Sequence, residues 1–290
     1  MSFKFVTNAS QILYRDRAIL VMNKPAGMIT QGTKEVTQRG KTIDGWIDDF
    51  SRTTGCTTQL RTVHRLDRET TGAYLLALGP SYARDISHQF ESRKVEKSYL
   101  AVVKGRPAQD GLIQTLLAEE DGRVFLATPQ SDTKLALALY TVVAESSKVP
   151  GLSLLRMRLF TGLKHQLRIQ AARVLGAPII GDNLYGESTN RNAWDEHVER
   201  GRMYLHSQHI VLDRYMRTGK HYRLGISAGV PSHFARLCDN TGLPLTQEDR
   251  SGGVFVDGEK VRVRPGRVIE GLEGCWLPED GWEPEPDKDS

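Results

Sequence analysis

The sequence predicts an α+β fold, with a mixed, mostly antiparallel sheet core flanked by helices. Three observations carry that prediction. Short apolar stretches with the two-residue period of a strand recur along most of the chain. Stretches with apolar positions at helical spacing are few. No internal repeat divides the chain, so the pieces belong to one irregular layered architecture.

Taken in order, residues 1–13 form an N-terminal arm, with strand character at Phe3–Val6. Ile19–Met22 is a short apolar strand, ended by the turn residues of Asn23-Lys24-Pro25-Ala26-Gly27. Residues 31–41 are polar and expected to be mobile. Ile43, Trp46, Ile47 and Phe50 recur at helical spacing behind Thr42, a good N-cap, and residues 51–58 return to loop. Ala73–Leu78 (AYLLAL) has the composition of a buried strand. Ser81 is placed to cap a second helix with Ala83, Ile86 and Phe90 inward, and the basic residues Arg93, Lys94 and Lys97 follow it.

The next strand, Ser98–Lys104, puts Tyr99, Ala101 and Val103 on one face. Further strands are expected at Val124–Leu126, Leu135–Val143 and Leu152–Phe160, the last with Arg156 and Arg158 on one face. Gly162–Gly176 has the pattern of a third helix, with a stripe of Leu163, Leu167, Ala171 and Val174 and a fitting terminal glycine. On it, His165 and Arg168 lie away from the stripe. Residues 187–202 are loop-like, Tyr204–Leu212 is a strand, and short strands recur at Val254–Val256 and Val261–Val263. The expected division is an arm (1–13), one main domain (14–243) and an extension (244–290) ending in a disordered acidic tail.

Composition narrows the function classes. A chain of 290 residues with 39% apolar and 26% charged residues is an ordinary soluble protein with room for a sizeable core. Its apolar runs are too short to span a bilayer, and its first residues lack the apolar core of a signal peptide. Three widely spaced cysteines fit neither a disulfide framework nor a CxxC metal site, which agrees with a reducing, cytoplasmic setting. Residues 277–290 carry a net −5, so the other residues hold +9 of the overall +4. A basic body of this kind suits a polyanionic partner.

The stretch His64-Arg65-Leu66-Asp67-Arg68-Glu69-Thr70-Thr71-Gly72 concentrates reactive groups directly in front of the Ala73–Leu78 strand. With Lys24, Tyr99 and Arg168 it supplies a set sufficient for nucleophilic catalysis at a sugar or a base. A carboxylate attacks, an arginine keeps it ionised, and a tyrosine packs on a ring or moves a proton. Asp67 and Glu69 do not suit a glycosidase acid–base pair, because extended-chain alternation does not aim them across one sugar. His206 and His209 form only a weak H-x-x-H pattern, read as a satisfied strand histidine and a surface one. No G-x-G-x-x-G or P-loop pattern appears, which disfavours nucleotide-dependent and methyl-transfer enzymes.

Six blocks together resemble the RluA-type pseudouridine synthase family: ILVMNKPAG (19–27), HRLDRETTG (64–72), KSYLAVVKG (97–105), TGLKHQLRIQ (161–170), APIIGDNLYG (177–186) and LHSQHI (205–210). They keep the family's order between about Tyr14 and Pro231. The resemblance implies the family's catalytic fold and an RNA pseudouridine synthase acting without cofactor or metal. Asp67 is then the nucleophile, attacking either the uracil ring or the ribose carbon. Tyr99 stacks on the uracil and assists proton removal at C5, and Arg168 ion-pairs with Asp67. Arg65 holds or replaces the flipped-out uridine, and His64, Lys24, Lys164 and His165 join it as candidate RNA contacts.

The resemblance is imperfect. Thr71 stands where the family has serine, Leu163 where it has arginine, and Gln170 where histidine is common. Residues before 14 leave no room for the small RNA-binding domain that some members carry. The expected partner is a stem-loop of rRNA or tRNA, met by a monomer. Extruding its uridine costs roughly a few kcal/mol, which phosphate contacts and stacking offset. Two rival readings are a non-catalytic RNA-binding or RNA-folding protein on the same scaffold, and a hydrolase that releases free uracil.

Overall fold

Thr71–Leu78 is buried at every position, as a strand covered on both faces must be. The other elements of the computed structural model assemble around it. The structure describes residues 11–31, 41–107, 110–129, 132–186, 194–216, 218–263, 266–269 and 272–277. The chain runs through β1 (Ile12–Arg15), β2 (Ile19–Lys24), α1 (Ile43–Thr54), β3 (Leu60–Thr62), β4 (Thr71–Leu78) and α2 (Pro80–Glu91). Then come β5 (Glu96–Lys104), β6 (Gly111–Glu120), β7 (Arg123–Leu126), β8 (Lys134–Glu145), β9 (Leu152–Leu159) and α3 (Gln166–Arg173). The remainder is β10 (Leu205–Tyr215), β11 (His221–Ser227), α4 (Ser232–Thr241), α5 (Gln247–Ser251), β12 (Gly253–Val256), β13 (Glu259–Val261) and β14 (Cys275–Trp276).

These strands form one sheet in the order β14-β1-β2-β4-β10-β5-β9-β8-β6-β7, with β3 on β4 and β11-β12-β13 branching from β10. The pairing is mixed and mostly antiparallel, as predicted. Among the named strands, β4 and β10 alone run parallel, through His206↔Thr71 and Ser207↔Gly72. This join sets the two central strands edge to edge, and Gly72 makes it possible. Its φ is +110°, and a Cβ there would lie 2.2 Å from the Ser207 carbonyl oxygen. No side chain fits such an approach.

The alternation of β5 divides the core as the two-residue period requires. Tyr99, Ala101 and Val103 join the cluster beneath α1 and α3, with Trp46, Tyr74, Met157 and Leu167. Leu100 and Val102 face the opposite layer, with Phe234 and Leu237 of α4. Arg156 and Arg158 share a face on β9, and they pair with Asp249 and Glu96 respectively. Helix α1 starts where the sequence places it, with the Thr42 hydroxyl accepting from the Gly45 amide at 3.2 Å.

Several boundaries move for identifiable reasons. Helix α1 continues to Thr54 and stops at Gly55, which takes a left-handed φ of 66°. Helix α2 is capped by Gly79, not Ser81, because Pro80 supplies a preset φ and lacks the N–H a cap would have to satisfy. Helix α3 begins at Gln166, not Gly162. His165 takes a left-handed φ of 52°, which interrupts a helix, and Gln166 Oε1 holds the preceding loop by accepting from the Leu163 amide and the Thr161 hydroxyl. Helices α4 and α5 and strands β1, β3, β6, β11 and β14 were not anticipated. Neither expected boundary is visible in the sheet: β1 crosses the first, and β12 and β14 beyond the second pair with β11 and β1. The strand expected at Phe3–Val6, most of the polar 31–41 stretch and the tail from 278 lie outside the described residues. No helix among the described residues is long and apolar enough to cross a membrane.

The β4–β10 join yields a stability prediction. Gly72→Ala is expected to lower the unfolding free energy by about 3 kcal/mol, through strain and a backbone clash that cannot relax. Urea titration checks it; a midpoint equal to that of the wild type would show that the strands part there without penalty.

Candidate active site

The loop between β3 and β4 is held from beneath by a buried lysine. Lys24, the last residue of β2, is fully buried, and its Nζ donates to the carbonyls of Pro25 (3.0 Å), Arg68 (3.0 Å) and Thr70 (2.8 Å). Three N–H donors meet three acceptors, so only the ammonium satisfies the set. Burial draws its pKa down to about 7, while the carboxylates of Glu69 and Asp67 work to raise it. Thr30 grips the same loop at Leu66, donating to its carbonyl at 2.7 Å and accepting from its amide at 3.2 Å. The Gly27 amide donates to the Arg68 carbonyl, and the Thr70 amide closes the turn onto the Asp67 carbonyl.

His64 anchors the other end of the loop. Its Nε2 accepts from the Leu75 amide at 2.8 Å, and its ring stacks between Tyr74 and Phe90. Burial, with help from the Lys97 charge, lowers its pKa to about 3, so the ring is neutral. Lys24 and His64 were expected among the RNA contacts; Lys24 is buried and committed to backbone carbonyls, whereas His64, bonded to the Leu75 amide, still lines the cleft. Lys164 is similarly engaged, with Glu119 and with the Gly122 carbonyl in the β6–β7 turn.

With its backbone fixed, Asp67 points its carboxylate into an open cleft. Arg168, one turn into α3, donates from Nη1 to Asp67 Oδ2 at 3.4 Å. The same guanidinium makes a two-point contact with Asp182, Nε to Oδ2 at 2.8 Å and Nη2 to Oδ1 at 2.7 Å. Asp182 also accepts from the amides of Leu184 and Tyr185. Burial acts to raise the Asp182 pKa, but the Arg168 hydrogen bonds and charge and the two amides outweigh it and hold it low. For Arg168 burial acts downward, and the two carboxylates overcome it to raise the pKa.

His165 completes the cluster with a left-handed φ of 52° at the helix cap. The Tyr185 hydroxyl donates to the Val124 carbonyl (3.2 Å) and so accepts from His165 Nδ1 (3.0 Å). His165 Nε2 then faces Asp67 Oδ1 at 4.0 Å. Burial lowers the His165 pKa against the pull of Asp67, so this contact sets a neutral ring beside the carboxylate and is not an ion pair at neutral pH. Tyr99, opposite Ser207 on the neighbouring strand, has the Ser207 hydroxyl in hydrogen-bonding reach; burial raises its pKa.

Arg65, Asp67, Tyr99, His165 and Arg168 all line one cleft of about 330 Å³, with Lys97, Phe90 and Leu205. The three residues expected to act together therefore do meet. Arg65 is exposed at this cleft. Thr70 also lines it, with a buried hydroxyl that has no hydrogen-bond partner among the described residues. Such an arrangement offers a carboxylate open to the cleft, an aromatic surface and cationic groups that suit a phosphate. Among the described residues, no group of three or more His, Cys, Asp or Glu side chains gathers as a metal site. His206 is satisfied between the Thr71 hydroxyl and the Ala228 carbonyl, and His209 is half-buried against Ser227. Sequence reasoning missed Asp182, Tyr185 and Thr30. Asp182 sits in a Gly-Asp-Asn turn, where a carboxylate is ordinary.

Lys24→Met would leave three carbonyls without their donor. The expected result is a loss of about 2–4 kcal/mol in stability, with faster amide exchange at Gly27 and Thr70. Wild-type exchange at those two amides would show that the loop holds itself.

Comparison with known proteins bears on the family of the chain. The family model described as RNA pseudouridylate synthase matches residues 18–173, more than half of the chain. The ribosomal large subunit pseudouridine synthase C of Rickettsia bellii is 34% identical over 230 residues, covering 78% of this chain and 70% of that protein. The tRNA pseudouridine synthase C of Pectobacterium carotovorum is 31% identical over 217 residues, covering 70% of this chain; the match spans 55% of that protein's length. Among solved structures, human RNA pseudouridylate synthase domain containing 4 aligns with a TM-score of 0.65 at 24% identity, over 81% of this chain and 94% of that one. That likeness speaks for the fold. On the matched sequence and the shared architecture, the chain belongs to the RNA pseudouridylate synthase family.

Proposed function

We propose that this protein converts uridine to pseudouridine in structured RNA, rRNA or tRNA, with Asp67 as the nucleophile. The observation that carries the reading is the Asp67 carboxylate, held in an open cleft by Arg168 with Tyr99 beside it. The reaction breaks the bond from uracil N1 to ribose C1′ and forms one from C5 to C1′. The C5 hydrogen leaves to solvent and N1 gains a proton, so no group from outside the nucleotide is needed and we assign no cofactor or metal. The same proposal has the protein working as a monomer in the cytoplasm.

Each side chain has a definite task in this reading. Arg168 aims the Asp67 carboxylate. Tyr99 holds its phenolic proton at neutral pH, because burial raises its pKa, which favours stacking on the uracil over direct proton removal. Arg65, exposed at the cleft, meets a phosphate or fills the place of the extruded base. Asp182 positions Arg168 without touching substrate.

Tritium release from RNA labelled at C5 of uridine tests the reading, since isomerisation must expel that hydrogen and binding alone does not. Wild-type protein is expected to release it, Asp67→Ala to release none while still binding RNA, and Arg168→Met to lose at least about a hundredfold in rate. A folded wild-type protein silent on every cellular RNA pool would end the proposal, and turnover by Asp67→Ala would remove the nucleophile.

Asp182→Asn separates positioning from direct contact. It keeps the shape but weakens the two-point anchor of Arg168, so kcat is expected to fall about tenfold or more with little change in KM. An equal fall through KM alone would place Asp182 at the substrate instead.

A further inference from the structure

Isomerisation needs a base for the C5 proton, and Tyr99 is a poor one, since burial raises its pKa and it keeps its own proton. Most other polar groups around the cleft are engaged or offer donors only. His64 spends its Nε2 lone pair on the Leu75 amide at 2.8 Å, and Arg65, Lys97 and Arg168 are donors. Glu91 is exposed at the end of α2 and bonds to no other described residue, so nothing orients it. His165 differs from all of these. It lines the same cleft, and its Nε2 lies 4.0 Å from Asp67 Oδ1, beyond a hydrogen bond. The other side of the ring is held. The Tyr185 hydroxyl gives its one proton to the Val124 carbonyl and takes the Nδ1–H of His165 at 3.0 Å. That bond fixes the tautomer, so Nε2 carries a lone pair, and no other described residue donates to it.

The backbone at His165 adds to this. Its φ of 52° lies in the left-handed region, which a side chain other than glycine adopts at a cost. Strain of this kind persists where the surroundings enforce it, and it gathers at reactive sites. Here the strained turn sets the imidazole between Tyr185 and Asp67. We propose that His165 is the general base of the reaction, its Nε2 taking the proton from C5 once the C5–C1′ bond has formed. The electron pair of the C5–H bond enters the ring and ends on N1, which takes a proton from solvent. The imidazolium then gives its own proton to solvent, so atoms and charge balance. Burial, with the Arg168 and Lys164 charges, favours the neutral ring at rest, and the carboxylates of Asp67 and Asp182 favour the imidazolium that the step creates. The inference rests on the isomerase reading and assigns its proton transfer, which leaves Tyr99 to stack.

Two substitutions that suit the backbone at this position test the base in the full-length protein. His165→Gly relieves the left-handed φ, and His165→Asn tolerates it while keeping a polar side chain. By tritium release, both are expected to lose about a hundredfold or more in kcat, the worth of a general base, with little change in KM. RNA carrying deuterium at C5 is expected to slow both variants more than it slows the wild type, because proton removal becomes the slow step. Added imidazole is expected to restore rate to His165→Gly but not to Asp67→Ala. Wild-type kcat in either variant overturns the assignment. So does a loss confined to KM, which would make His165 an RNA contact. A fall in kcat with the isotope effect and the imidazole response of the wild type overturns it too, and would make the role structural. Release by the wild type separates the two readings. Release together with one of those three results removes the base alone, whereas a folded wild type that releases nothing ends the isomerase reading and the base with it.

Discussion

A guanidinium cannot be buried without an answering charge. Arg168, whose side chain is 6% exposed, is answered twice, by Asp182 at 2.7–2.8 Å and by Asp67 at 3.4 Å. The two contacts differ in kind. The Asp182 pair is two-pointed and itself tied to two backbone amides, so it fixes where the guanidinium lies. The Asp67 contact is one longer hydrogen bond, and it leaves the second carboxylate oxygen to face His165 and the cleft. A carboxylate gripped as tightly as Asp182 has no oxygen left for a ligand, whereas Asp67 keeps one. The division lets one arginine be fixed by Asp182 and still reach the carboxylate of the cleft.

That cluster carries two carboxylates against one guanidinium, and the remaining negative charge is met from below by Lys24. Its ammonium is held by the very carbonyls that shape the Asp67 loop, and Asp67 and Glu69 favour its protonation against burial. The loop geometry and the local charge balance are therefore a single arrangement. Removing the lysine disturbs both together, which explains a buried lysine at the end of a strand, where burial would otherwise disfavour one.

Much of this was legible in the sequence because it is local or periodic. The α1 cap at Thr42, the alternation of β5 and the apolar run Ala73–Leu78 within β4 follow from spacing and composition alone, and ordered motifs pointed to Asp67, Tyr99 and Arg168. What was not legible depends on long-range partners. Gly72 reads as a turn until Ser207 arrives against it, and Lys24 reads as a candidate RNA contact until three carbonyls close around it. Asp182 is an ordinary turn carboxylate until α3 brings Arg168 to it. Residues such as Cys275-Trp276 carry no strand signal of their own, and pair only because β1 offers an edge.

The positions that depart from the family pattern fit the same logic. Thr71 keeps the hydroxyl that bonds His206 at 2.8 Å, so threonine serves there as serine would. Leu163 gives up a cation but packs against the cluster of Leu117, Val124, Ala136 and Ile169. Gln170 uses its amide to donate to the Thr115 hydroxyl on β6 and to the Ala136 carbonyl on β8. Lys164, between them in sequence, ties the β6–β7 turn through Glu119 and Gly122. These contacts fasten α3 and the residues leading into it to the β6–β8 arm of the sheet. They seat β7 against the helix whose Arg168, anchored on Asp182, also reaches Asp67, so the departures from the motif reinforce the support of the cleft without touching the Asp67–Arg168 contact.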